Sequence, residues 1–124
     1  MFGYLIFVLI LSRFCVNSLK PKLIDNPTKL FQNENSKLRL YCSVEEGTKP
    51  FQMEWFFNDK SVNKLMNIQV QNNDDFSVLT IEKLKFSDSG NYSCYVQNQF
   101  GNDAQFTILT VKGLFFEIFK DFFF

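Results

Sequence analysis

The stretch "DSGNYSC", residues 88–94, places an acid, a glycine and a tyrosine at fixed offsets ahead of the last of three cysteines. Tyr92 stands two residues before Cys94, where a buried phenol at the corner of a β-sandwich can hydrogen-bond back to the backbone just upstream. Gly90 lets the chain turn sharply into a strand, and Asp88 can accept bonds from that turn or pair with a cation. This spacing serves a fold rather than a reaction.

Outward from that stretch the chain reads as short strands with period-2 alternation and polar breaks between them. "KLRLYCSV" (37–44) puts Leu38, Leu40, Cys42 and Val44 on one face and Arg39, Tyr41 and Ser43 on the other. "QMEWFF" (52–57) turns Met53, Trp55 and Phe57 one way and Glu54 and Phe56 the other. After a polar hairpin at "QNNDD" (71–75), "FSVLTIEKL" (76–84) offers Leu79, Ile81 and Leu84 to a core, and "GNYSCYVQN" (90–98) adds Tyr92, Cys94 and Val96. In "NDAQFTILTVK" (102–112) the adjacent Ile108 and Leu109 break the alternation and predict a bulge. No segment reads as a long helix. The expectation is an all-β sandwich of two antiparallel sheets.

Cys42 and Cys94 take inward positions on separate strands, and the single tryptophan, Trp55, follows Cys42 by 13 residues. Such a pair can bridge two sheets with the tryptophan packed against it. Closing a loop of this size stabilises a domain by about 4 kcal/mol in the chain-entropy description.

Composition narrows the function. Lys+Arg equals Asp+Glu at 13 each, so no basic excess points to nucleic acid. Histidine is absent, which removes histidine general bases, the usual triads and imidazole-bearing zinc sites. The carboxylates are scattered over turns and outer faces, and no nucleophile has a base beside it. The expectation is a non-enzyme with no cofactor, no metal and no catalytic residue. The apolar run Phe2–Leu11 is too short to span a bilayer but suits the hydrophobic region of a signal peptide over residues 1–18, with Val16 and Ser18 at −3 and −1. Cleavage there would remove Cys15 and leave an even pair, as expected of an oxidising compartment.

The segments "LYC" (40–42), "MEWFFNDKSV" (53–62), "FSVLTIEKLKFSDSGNYSC" (76–94) and "VQNQFGNDAQFTILTVK" (96–112) together resemble an immunoglobulin domain of the I-set, over about residues 21 to 112. "DDFSVLTI" with "DSGNYSC", and "PKL" near the start, is similar more narrowly to arthropod Down syndrome cell adhesion molecule proteins. The resemblance implies a two-sheet sandwich over residues 19–112 joined by one disulfide, with Trp55, Leu79, Asp88, Gly90 and Tyr92 as its core signature. It also implies one domain of a multidomain cell-surface protein, acting in homophilic adhesion and neuronal recognition. The family often pairs the acid at the Asp88 position with an arginine, whereas only Lys64 is near here. Asn98 and Gly101 match the family's tight turn after the second cysteine strand.

A sandwich of this kind carries function on faces and loops. Alternation turns Glu54, Phe56, Tyr95 and Gln97 outward on the tryptophan-bearing sheet, a candidate binding face whose two aromatics can anchor a protein partner. Tyr41 faces outward on the other sheet. The loops "EEGTKP" (45–50) and "QNQFG" (97–101) are expected to lie apart and solvated. "NYS" at Asn91 is a glycosylation sequon on the same face, while Pro27 blocks "NPT" at Asn26.

Residues 113–124, "GLFFEIFKDFFF", are half phenylalanine. They are too short and too charged for a transmembrane helix. Gly113 is what reading past an exon end into an intron would encode, so the segment reads as a gene-model artefact, with membrane attachment expected only through segments missing from this chain. The alternatives to adhesion are a soluble, secreted immune-type receptor that binds a foreign surface, and a passive spacer.

Overall fold

A computed structural model describes residues 18–113. The leader expected over residues 1–18 falls outside these residues apart from Ser18, as does the tail beyond Gly113. Nine strands follow in order: β1 (Lys22–Leu23), β2 (Lys29–Asn33), β3 (Leu38–Glu46), β4 (Gln52–Phe57), β5 (Lys60–Ser61), β6 (Gln69–Asn72), β7 (Phe76–Ile81), β8 (Gly90–Asn98) and β9 (Gly101–Lys112). Short 3-10 turns occupy Val62–Lys64 and Phe86–Asp88.

The strands form two sheets, β1-β3-β7-β6 and β2-β9-β8-β4-β5. Every pairing is antiparallel except β2 with β9, which run parallel from Lys29↔Ile108 to Asn33↔Lys112. The N-terminal segment thus serves both sheets. Ile24–Thr28 carries the chain across, held to β9 where Gln105 Nε2 donates to the Ile24 carbonyl and Thr107 Oγ1 donates to the Pro27 carbonyl at 3.0 Å.

The alternation predicted from sequence is realised in the core. Leu38, Leu40 and Cys42 of β3, Leu79 and Ile81 of β7, Tyr92, Cys94 and Val96 of β8, and Leu109 and Val111 of β9 are all buried, with Trp55 and Leu84 among them. Complete burial of each aliphatic side chain contributes about 1.5–3 kcal/mol. The Cys42–Cys94 disulfide joins the sheets across a Cα–Cα distance of 6.3 Å. Trp55 is the register partner of Cys94, and its indole Nε1 donates to Ser77 Oγ at 2.8 Å. Ser77 Oγ in turn donates to Asn72 Oδ1 at 2.6 Å, so the one polar atom of the tryptophan is satisfied inside the core.

Two expectations are corrected. The β8–β9 register runs unbroken from Gly90↔Leu109 to Asn98↔Gly101, so there is no bulge at Ile108. Thr107, Leu109 and Val111 point inward, while Ile108 is an outward apolar side chain. The loops 45–50 and 97–101 do not lie apart either. Because Gln52 at the start of β4 pairs with Gln97 near the end of β8, both loops emerge at one end of the sandwich. There Asn98 Nδ2 donates to the carbonyls of Leu19 (2.7 Å) and Thr48 (2.9 Å), and its Oδ1 accepts from the backbone N–H groups of Phe100 and Gly101.

Candidate functional site

The DSGNYSC corner is a closed set of contacts. The Tyr92 hydroxyl donates to the Asp88 carbonyl at 2.6 Å. Burial, reinforced by the Asp88 charge, pushes the phenol pKa well above its ordinary value. The Asp88 carboxylate accepts from Asn67 Nδ2 at 2.7 Å and from the Lys85 N–H at 2.8 Å. Among the described residues, a neutral amide and a backbone N–H hold the acid; the Lys64 side chain lies outside them.

Gly90 sits at φ +157°, and a Cβ there would approach Phe57 Cε2 to 2.7 Å and Asn58 Oδ1 to 2.8 Å. That close approach lets the Asn58–Asp59 turn, whose φ values are 47° and 67°, dock on β8. The Asn58 N–H donates to the Asn91 carbonyl, and Asn58 Oδ1 accepts from the Asn91 N–H at 2.9 Å. The Phe57 and Tyr92 rings pack with centroids 4.7 Å apart. These residues build the sandwich and offer no reacting group to solvent.

The solvent side of the five-stranded sheet is different in character. Its rows, from β9 through β8 to β4, are Phe106–Ser93–Phe56, Ala104–Tyr95–Glu54 and Asn102–Gln97–Gln52, with Ile108 beside Asn91. Glu54 and Gln97 are exposed, as expected. Phe56 and Tyr95 are only half-buried rather than fully displayed, because strands flank each of them on both sides.

The strongest display comes from residues that alternation in the sequence did not single out. Phe106 is 49% exposed, Ile108 43% and Phe31, on edge strand β2, 58%. Phe31 could have been found from "KLFQN", where Leu30 and Gln32 turn inward and leave it outside. Lys112 Nζ stands 5.7 Å over the Phe31 ring, a cation–π distance. The face is thus a strip of apolar side chains and small polar residues, with lysines at the β2 side and Glu54 on β4. Aromatic anchors rimmed by polar groups suit protein recognition. Among the described residues, no cluster of three or more His, Cys, Asp or Glu could hold a metal ion, and no helix is long and apolar enough to cross a membrane.

The immunoglobulin I-set domain model matches residues 21–111. The chain belongs to the immunoglobulin I-set family. This I-set domain is 34% identical over 79 residues to the membrane-bound isoform of Pro-neuregulin-1 from Homo sapiens, covering 61% of this chain and 12% of that protein. It is 31% identical over 93 residues to Vascular endothelial growth factor receptor 3 of Danio rerio, covering 75% of this chain and 7% of the receptor. The chain therefore spans a small part of each relative's length, and the I-set domain is a module that occurs in cell-surface proteins. In structure it is similar to the Dscam1 Ig7 domain, isoform 5, with TM-score 0.69 at 22% identity over 77% of this chain and 99% of that one. That likeness shows the shared immunoglobulin-like sandwich fold.

Proposed function

We propose that this I-set domain is an extracellular recognition module of a larger cell-surface protein, and that the solvent side of its five-stranded sheet binds a second copy in homophilic adhesion of the neuronal-recognition type. The observation that carries the reading is the exposure of Phe31, Phe106 and Ile108 on one face with Phe56 and Tyr95. An exposed apolar surface of this kind marks an interaction site. Residues 1–18 act as the secretory leader, residues 19–112 as the folded unit, and residues 113–124 as sequence foreign to the working protein. A glycan at Asn91 would stand beside Ile108 and confine the binding face to the Phe106, Phe56 and Tyr95 end.

Bead aggregation and sedimentation of the secreted chain test this. Self-association that Phe106→Glu abolishes without changing the melting temperature supports it. A chain that stays monomeric, and whose beads neither self-aggregate nor respond to the substitution, is a spacer and overturns it. Binding of a foreign surface without self-association favours the soluble receptor.

A further inference from the structure

Among the described residues the two sheets end in four edge strands, β1, β6, β2 and β5. An unpaired edge offers a row of backbone donors and acceptors to another strand, and folded proteins commonly guard it with lysine or proline. Three of the four are guarded: β1 carries Lys22 after Pro21, β2 carries Lys29 and β5 carries Lys60. The fourth, β6, reads "QVQN" (69–72) and has neither a charge nor a proline. No glycosylation sequon falls on it.

The direction of its open groups follows from the ladder. The Asn73 N–H donates to the Phe76 carbonyl at 2.8 Å, and the β6–β7 register continues that pairing in step. Antiparallel pairs alternate, so Asn73, Gln71 and Gln69 exchange bonds with β7 while the backbone N–H and C=O groups of Val70 and Asn72 point out along the free edge. The Val70 side chain turns in against the core, and Gln69 and Gln71 are exposed.

We infer that β6 pairs with β6 of a second copy, antiparallel about a two-fold axis between the two Gln71 residues. Val70 of each copy then exchanges its backbone bonds with Asn72 of the other, and the two four-stranded sheets become one continuous sheet. A second copy fits because the edge is complementary to itself. On reversal the open groups of Val70 and Asn72 meet each other, and every facing side chain is neutral. The acidic turn Asp74–Asp75 of one copy falls beside Ile68 and Asn67 of the other, not beside its own kind. This contact lies on the sheet opposite the proposed adhesive face and stands independently of that reading, so one copy can make both at once.

The strand has only 4 residues, so the contact is weak in solution and appears at about 0.1–1 mM, a range that copies held on one membrane reach by proximity. The test is sedimentation at such concentrations of the secreted chain carrying Phe106→Glu, which disables the face of the other sheet. A dimer is expected. Adding Gln71→Lys, or Gln71→Glu, sets like charges directly opposite each other and should weaken the dimer at least about tenfold. Mixing the lysine and glutamate variants should restore it. Gln71 is exposed, so neither change should move Tm. A Phe106→Glu chain that stays monomeric up to about 1 mM, variants that associate as well as their parent, or a mixture that stays monomeric would each overturn the edge pairing. The adhesion reading is decided separately, in dilute chain, where the edge is unpaired.

Discussion

Replacing Tyr92 by Phe removes one oxygen from the most buried corner of the domain and keeps the ring that packs on Phe57. The lost bond is the 2.6 Å contact to the Asp88 carbonyl. Leaving that buried acceptor unpaired should cost about 1–3 kcal/mol. For a domain of this size each kcal/mol lowers Tm by about 4–8 °C. Urea titration at neutral pH, followed by Trp55 fluorescence, should show a lower midpoint at unchanged m.

Alkaline pH supplies an independent reading of the burial of the same hydroxyl. The folded pKa of Tyr92 is raised above its unfolded value, so the neutral phenol stabilises the fold fully below the unfolded pKa. That contribution fades as pH rises through and beyond about 10, where the unfolded tyrosine ionises. The stability difference between wild type and Tyr92→Phe should therefore narrow steadily above that pH, while other titrating groups act on both proteins alike. A midpoint unchanged by the substitution would refute the hydrogen bond as a stabilising contact, and a difference that does not narrow in alkali would refute burial of the phenol as the cause of its raised pKa.

Three further outcomes follow from the same geometry. Cys42→Ala with Cys94→Ala releases a cross-link spanning 52 residues and should remove about 4 kcal/mol, read by urea unfolding and by sensitivity of the wild type to reductant. Gly90→Ala meets Phe57 and the Asn58 side chain at a strained φ and should destabilise by about 1–3 kcal/mol, with amide exchange quickening first in the Asn58–Asp59 turn. Expression through a secretory pathway should add an enzymatically removable glycan at Asn91, seen as a mass shift that Ser93→Ala abolishes.

Much of the sandwich is legible in the sequence because inward positions at period 2 are filled by Leu, Ile, Val, Cys and Tyr, and burial demands that chemistry. The outer face is harder to read, since nothing forbids an apolar residue in water. Ile108 beside Leu109 looked like a broken pattern, and only the β8–β9 register shows that one of them faces solvent. The side chain that donates to Asp88 is hidden for a related reason. Asn67 lies 21 residues away in a segment with no pattern of its own. The meeting of loops 45–50 and 97–101 depends on how β4 lies against β8, which local sequence does not encode.

The parallel pairing of β2 with β9 has a mechanical consequence. The chain enters the five-stranded sheet through β2 and leaves it along β9, with five residue pairs side by side between Lys29↔Ile108 and Asn33↔Lys112. A pull on the two ends of the domain runs along these strands in opposite senses. The ladder is then sheared, with its bonds sharing the load, instead of being opened one rung at a time. A module built this way resists tension at its termini more than its modest size implies.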